Sequence, residues 1–260
     1  MNCGRMSETR SPWTEDGFLG GQLRLRQPRS GHRAGHDAML LAAACDARPG
    51  ERVVELGAGI GAAGLALARR VGSIELVLLE IDAELAALAR DNAATNSIPA
   101  QIVVLDATAP AREFAAAGLV PESVDAVLMN PPFNDAARHR ASPDPSRASA
   151  HVATPALLAR WVDAARRILK SGGRLTLIWR ADGIAEALAA LDRGFGSLGI
   201  VPVHGDVSKP AIRVLITAEK GGRAPARLWP ALMLNDEQAQ PSRQAADILA
   251  GRGVLPPARP

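Results

Sequence analysis

The sequence has few cysteines and no long apolar run, and each of these absences excludes a class of protein. Among the 260 residues only Cys3 and Cys45 are cysteines, too few for a disulfide framework or a cysteine metal site. No apolar run approaches the length of a transmembrane helix, and Met1 to Gly20 lacks the apolar segment of a signal peptide. We therefore expect a cytoplasmic protein with no metal site and no membrane partner.

Lysine is scarce as well. Only 3 of the 30 basic residues are lysine and 27 are arginine, while the formal net charge is +3. The planar guanidinium group of arginine suits bidentate contacts with phosphate. A genome biased toward arginine and alanine codons explains the same ratio, however. Charge therefore permits a nucleic-acid partner without requiring one.

Apolar strands alternate with helical patterns from residue 51 to residue 220. Short apolar runs end at Leu56, Leu79, Leu105 and Met129, and a helical pattern follows each of them. Such alternation predicts an α/β fold with a doubly wound, mainly parallel, seven-stranded Rossmann-like sheet. The length suits one large domain better than two small ones.

The segments that flank this domain have a different character. Residues 1–14 are polar and without periodicity, which predicts a flexible tail. Residues 15–50 form an N-terminal extension, in which the alternation of Gln22 to Pro28 predicts an arm of a hairpin. Asp37 is a predicted N-cap of the helix that follows. Residues 221–260 are polar and rich in proline, so we expect a C-terminal arm or tail.

Residues that can bind a ligand or take part in a reaction follow four of the predicted strands. The first strand is followed by a glycine turn, the second by Glu80, the third by Asp106 and the fourth by Asn130-Pro131-Pro132-Phe133. Ligands of doubly wound sheets bind beyond the carboxyl ends of the strands, near the point where the strand order reverses. We therefore expect these four groups to form one site.

The Asn130–Phe133 turn is suited to a flat, hydrogen-bonding ligand. Its two prolines fix φ and remove two N–H donors, so that the turn is stiff and its carbonyl groups point outward. An amide, outward carbonyls and an aromatic face together can hold a nucleobase by its exocyclic amine. A rigid connecting turn with an incidental phenylalanine is the structural alternative.

The glycine turn fits two kinds of nucleotide cofactor. Gly59 to Gly64 matches the G-x-G-x-x-G pattern of dinucleotide-binding folds, and Glu80 lies where an acid binds ribose hydroxyls. Glu55 precedes the turn and would repel a pyrophosphate, but it can meet an α-amino group. Asp106 could accept a hydrogen bond from an adenine amino group. Amino acid, ribose and adenine binders in this order favour S-adenosylmethionine (SAM) over NAD.

The same motifs resemble those of a known family. Glu55-x-Gly57-x-Gly59-x-Gly61 with Glu80, Asp106 and Asn130–Phe133 resembles the class I SAM-dependent amino-methyltransferases. Other segments are similar to the bacterial tRNA1(Val) adenine N6-methyltransferases, namely Phe18–Gly21, Gly35–Leu41, Ser142–Arg147 and Lys209–Leu215. The resemblance covers about residues 15 to 255. It fails at Leu232–Asp236, where these proteins usually carry a histidine.

The resemblance implies a function and a set of roles. It implies direct methyl transfer from SAM to the N6 of an adenine in tRNA, next to the anticodon. The domain looks self-sufficient, so a monomer is the default expectation. The implied catalytic residues are Asn130, Pro131, Pro132 and Phe133. The implied cofactor-binding residues are Asp37, Glu55, Gly57, Gly59, Gly61, Glu80, Asp106, Ala107 and Asn130. RNA is expected to contact Arg138, Arg140, Arg147, Lys209 and Arg213.

Several other functions remain open at this stage. The same turn serves glutamine N5-methylation of translation proteins, although such enzymes usually carry tyrosine where this chain has Phe133. A DNA or rRNA adenine methyltransferase is a second alternative. A non-catalytic module that binds SAM or RNA belongs to a different class, and the intact Asn-Pro-Pro-Phe turn argues against it. Trp161 and Trp179 occupy apolar positions and are predicted core residues.

Overall fold

The computed structural model describes residues 12–30, 33–132 and 155–256. It begins with an antiparallel hairpin, β1 (Trp13–Phe18) and β2 (Leu23–Pro28), joined by a 3-10 turn. Trp13 pairs with Pro28, so the strand starts two residues inside the range expected to be a tail. Helix α1 (His36–Ala44) follows the hairpin and completes the N-terminal extension.

Strands and helices then alternate as the sequence pattern predicts. The first half of the domain contains β3 (Arg52–Leu56), α2 (Ala62–Val71), β4 (Glu75–Glu80), α3 (Ala83–Thr95), β5 (Ala100–Val104), α4 (Ala111–Ala116) and β6 (Val124–Met129). The second half contains α5 (Pro155–Ile168), β7 (Leu169–Arg180), α6 (Ile184–Leu191), β8 (Phe195–His204) and β9 (Arg213–Lys220).

These strands form one mainly parallel sheet. Seven of them lie in the order β8-β9-β7-β6-β3-β4-β5, and β9 is antiparallel to both of its neighbours. Two short strands, β10 (Arg227–Leu228) and β11 (Leu232–Met233), pair with β8 and bring the sheet to nine strands. The doubly wound, mainly parallel fold is confirmed, and the two added strands come from the C-terminal arm.

Apolar side chains cover both faces of the sheet. One core contains buried residues of the hairpin, α1, α2 and α3, and the other contains those of α4, α5 and α6. The strand order turns back between β3 and β6, where the helices also change faces. Ligands of such sheets bind beside the strand ends at this reversal. The described residues contain no helix that is long and apolar enough to cross a membrane.

The C-terminal arm packs against the domain. Its short strands cover the outer edge of β8, and helix α7 (Arg243–Leu249) contacts α1. Ile248 and Leu255 are buried, and the Leu255 N–H donates to the carbonyl of Ala43 over 2.9 Å. Through residue 256 the arm is thus part of the fold, because its apolar residues complete the core next to α1.

Two asparagines of α3 attach the hairpin to the domain. The side-chain amide of Asn92 bonds to both the N–H and the carbonyl of Arg26, and that of Asn96 does the same with Arg24. Asn92 and Asn96 are buried and stand one helical turn apart, so their amides pair with the free edge of β2 as a neighbouring strand would. Asn92 Nδ2 also donates to the carbonyl of Ile60 in the glycine turn.

Candidate functional site

The register of the sheet brings the predicted groups to one edge. Leu56 of β3 pairs with Met129 of β6 on one side and with Leu79 of β4 on the other. The next residues along each chain, Gly57, Asn130 and Glu80, therefore leave the sheet side by side. On the far side of β4, the Leu105 N–H donates to the Glu80 carbonyl over 3.0 Å, which places the Asp106 turn next in line.

Asn130 presents an unpaired oxygen at this edge. Its Oδ1 is shielded from solvent and has no hydrogen-bond donor among the residues that the structure describes, an unusual state for a buried polar atom. Pro131 is buried and Pro132 is exposed, so the turn passes from the core to the surface within two residues. Four residues of the sequence-based hypothesis lie outside the described ranges, namely Phe133, Arg138, Arg140 and Arg147.

The three glycines of the turn have different surroundings. All three have positive φ, a conformation that favours glycine. A Cβ on Gly59 would meet no atom within 4 Å, so this glycine faces open space. A Cβ on Gly61 would lie 2.8 Å from Leu78, and one on Gly57 would lie 2.3 Å from the ring of Trp161. Gly59 therefore leaves room for a ligand, and the other two permit close packing.

Glu80 links the end of β4 to the glycine turn. Its Oε2 accepts from the Gly59 N–H over 2.6 Å, and its Oε1 accepts from the Asp82 N–H over 2.9 Å. The carboxyl group is largely buried and held at both oxygens by backbone. Each oxygen keeps a further lone pair, which is what a bidentate contact with two ribose hydroxyls requires.

Glu55 is buried beneath the turn, with one hydrogen bond to the described part of the chain. Its Oε2 accepts from the Gly64 N–H in α2 over 2.7 Å. Burial raises the pKa of this carboxyl to about 8, and the negative charge of Glu80 adds to the rise against the lowering effect of the Gly64 bond. Glu55 is therefore mainly protonated at pH 7. A cationic group that binds beside it would favour the carboxylate instead.

The loop after β5 provides the third side of the site. Asp106 is exposed, and its Oδ1 accepts from the N–H and the hydroxyl of Thr108, which closes a tight turn. Ala107 is buried under this turn. Sequence reasoning overlooked Ile81, which follows Glu80 and has 53 % of its surface exposed. An exposed isoleucine at this edge can offer apolar contact to a flat ring, and its position directly after Glu80 was the available signal.

Asp37 and two of the basic residues have other contacts. Gly35 caps α1, so Asp37 lies in the first turn of the helix and the N-cap prediction was wrong. Its Oδ2 instead accepts from Arg213 Nε over 3.0 Å, which ties α1 to the start of β9. Lys209 lies in the loop between β8 and β9 and forms an exposed ion pair with Asp206. The described contacts do not bring Asp37 to the glycine turn.

The whole arrangement fits a nucleoside linked to an amino acid. Open space faces Gly59, and the Glu80 carboxylate borders that space. Beside it lies Asn130 Oδ1, which has no donor among the described residues. Residues 30–205 match the model of the methyltransferase small domain family. The chain belongs to this family. It is a methyltransferase, and its cofactor is S-adenosylmethionine.

Individual relatives agree with this membership. The tRNA1(Val) (adenine(37)-N6)-methyltransferase of Dickeya chrysanthemi is 30 % identical over 217 residues, 80 % of this chain and 81 % of that protein. The ribosomal RNA small subunit methyltransferase C of Pseudomonas syringae pv. syringae is 30 % identical over 146 residues, 56 % of this chain and 37 % of that protein.

Solved structures show the same fold. A predicted O-methyltransferase from Agrobacterium tumefaciens superposes with a TM-score of 0.70 at 33 % identity, covering 84 % of this chain and 98 % of that one. The 16S rRNA N2 G1207 methyltransferase of Thermus thermophilus, solved with AdoMet and guanosine, superposes with a TM-score of 0.53 at 19 % identity. That alignment covers 80 % of this chain and 50 % of the other.

Proposed function

We propose that this protein transfers a methyl group from SAM to the exocyclic N6 of an adenine in RNA, and that this RNA is a tRNA. The observation that carries the proposal is the buried oxygen of Asn130, which has no donor in the described part of the chain and lies beside the glycine turn at the reversal of the strand order. Burying an acceptor without a partner lowers the stability of a protein unless a ligand supplies the donor. An aromatic amine supplies the missing N–H.

The turn is suited to activating such an amine. SAM supplies an electrophilic methyl group on its sulfonium centre. The lone pair of an exocyclic nitrogen is delocalised into the ring, so this nitrogen is a weak nucleophile. Hydrogen bonds to Asn130 Oδ1 and the Pro131 carbonyl favour a pyramidal nitrogen, which frees the lone pair and aims it. These acceptors also stabilise the positive charge that develops on the nitrogen.

The other residues of the edge are assigned to the cofactor. Gly59 leaves room for it, and Glu80 binds the ribose hydroxyls. The exposed Ile81 and the Asp106 turn, with Ala107 beneath it, receive the adenine ring and its amino group. Glu55 lies under the glycine turn and meets the α-amino group of the methionine part. Each assignment follows from the position of the residue along the edge, from β3 outward to β5.

The relatives favour tRNA as the substrate. The tRNA1(Val) enzyme of Dickeya chrysanthemi aligns over four fifths of both chains, whereas the ribosomal RNA enzyme aligns over little more than a third of its own length. The latter relative supports a second candidate, an exocyclic amine in ribosomal RNA. Asn130 Oδ1 accepts equally well from the amine of adenine or of guanine, so the turn alone does not separate these substrates.

Substitution of Asn130 tests the proposal. Asn130→Ala should retain binding of S-adenosylhomocysteine (SAH) and lose about 100-fold or more in kcat, because one transition-state contact commonly contributes that much. Asn130→Asp keeps an oxygen acceptor and should retain more activity than Asn130→Ala. Calorimetry and single-turnover methylation measure the two quantities. Unchanged turnover in Asn130→Ala would remove this residue from the mechanism, and SAH binding by a wild-type protein without turnover would indicate a binding module.

A further inference from the structure

Two adjacent residues of helix α5 reach the two turns that the proposed function assigns to SAM, and the inference below rests on that assignment. Arg160 Nη2 donates to the Thr108 carbonyl over 3.2 Å, inside the turn closed by Asp106. Trp161 packs its ring against Gly57 at the start of the glycine turn.

The contact between Trp161 and Gly57 is very close. A Cβ on Gly57 would lie 2.3 Å from Cη2, 2.8 Å from Cζ3 and 3.4 Å from Cζ2, all atoms of the six-membered ring. The ring thus lies against the backbone of the turn itself, where only glycine leaves space. Gly57 has a φ of 67°, so a side chain there would also strain the backbone.

Helix α5 is fixed firmly enough to keep this ring in place. Val162, Ala165 and Ile168 are buried in the core beneath the helix. Arg167 places its guanidinium 5.0 Å from the centroid of the Phe114 ring and donates to the Ala109 carbonyl over 3.2 Å. Trp161 itself is only 8 % exposed. A large, rigid ring on an anchored helix restricts the backbone that it touches.

We propose that Trp161 is a positioning residue that holds the glycine turn in the form that receives the methionine part of the cofactor. It acts through Gly57 and not on the reacting atoms. Its loss should therefore weaken cofactor binding while leaving the rate at saturating SAM nearly intact. A residue that contributed only to the core would lower stability without this selective effect on affinity.

Trp179 provides a matched control for this prediction. It is another tryptophan of the same core cluster, it is 2 % exposed, and it packs against Gly183, the N-cap residue of α6. Trp161→Phe should weaken SAH binding about tenfold or more with kcat within about threefold of wild type, because the turn loses its support and the chemistry keeps its groups. Trp179→Phe should bind SAH within about threefold of wild type while losing comparable thermal stability.

A compensating pair of substitutions gives a sharper test. Gly57→Ala alone should weaken SAH binding more than Trp161→Phe does, because the new methyl group meets the indole ring. The shorter ring of Phe lacks the atoms that Cβ would strike, so Gly57→Ala/Trp161→Phe should bind SAH about tenfold or more tightly than Gly57→Ala. Such non-additivity is the signature of direct contact. The double variant should still bind SAH more weakly than the wild type, because alanine at residue 57 must adopt a left-handed backbone conformation.

Calorimetric titration with SAH separates the outcomes. Equal affinity of Trp161→Phe and Trp179→Phe, or strict additivity of the pair, would overturn the proposed role of Trp161. If Trp161→Phe does not fold, Trp161→Tyr serves instead, with a loss of affinity intermediate between wild type and the Gly57→Ala variant expected. Failure of the wild-type protein to bind SAH would refute the proposed cofactor site itself, which is a different result.

Discussion

At the scale of single residues, the buried carboxyl group of Glu55 gives the fold a specific dependence on pH. The unfolded chain releases the proton of this group near pH 4.5, whereas burial keeps it bound in the folded protein up to a pKa of about 8. Between these values the folded state binds more protons than the unfolded state. Stability must then fall as the pH rises through this window, and it levels off above it.

Glu55→Gln should remove most of this dependence. Glutamine keeps an oxygen for the Gly64 N–H and cannot ionise, so the free energy of unfolding of the variant should change little between pH 5.5 and 8. The wild-type value should fall over the same range. Urea denaturation at several pH values measures both. Parallel curves for the two proteins would show that Glu55 does not titrate within this window.

Sequence reasoning predicted which residues meet at the sheet edge where local pattern and strand position agreed. Glu80 and Gly59 were predicted from consecutive strand ends, and the structure joins them by a hydrogen bond. Sequence reasoning treated Glu55 as a charged acid, because the sequence does not reveal the burial that keeps this carboxyl group protonated. Trp161 was predicted as a core residue, which it is, but its contact with Gly57 depends on how α5 lies across the sheet.

At the scale of elements, the hairpin depends on two side chains of α3. Asn92 supplies partners for the N–H and carbonyl of Arg26 and for the Ile60 carbonyl, so one amide joins β2, α3 and the glycine turn. The sequence shows only two asparagines four positions apart, a spacing that predicts one face of a helix without naming its partner. The attachment of the hairpin was therefore not predictable from local pattern.

Asn92→Ala should destabilise the protein by about 2–4 kcal/mol, because buried backbone groups of β2 and of the glycine turn lose their partners. The loss should be greatest locally, with faster hydrogen exchange at Arg26 than at β6. Asp91→Ala on the exposed side of α3 is the control and should change stability by less than about 0.5 kcal/mol. Unchanged protection of β2 in Asn92→Ala would mean that other contacts hold the hairpin.

The predicted boundaries of helices and strands were wrong where tertiary contacts override local preference. Asp37 has the chemistry of an N-cap, yet the helix is capped two residues earlier, at Gly35. The Asp37 carboxylate pairs instead with Arg213 on a distant strand. Trp13 looked like part of a polar tail and instead pairs across the hairpin with Pro28. Neither partner is close enough in sequence for a periodicity to reveal it.

At the scale of the whole molecule, the sheet itself was predictable, because buried parallel strands read as apolar runs with helical patterns between them. The contribution of the C-terminal arm to the sheet was not predictable. Its two-residue strands have no periodicity, and they form only because β8 offers an open edge. The arm also packs α7 on α1, so the two ends of the described chain meet on one face of the sheet.

The most direct test of the account identifies the product of the reaction. Purified protein would be incubated with SAM carrying a labelled methyl group and with RNA from a strain that lacks the gene, and the digested nucleosides would be read by mass spectrometry. The proposed function predicts labelled N6-methyladenosine in the tRNA fraction, and its near absence with Asn130→Ala. Label only in methylguanosine of ribosomal RNA, label only in protein, or no label despite SAH binding would each contradict it.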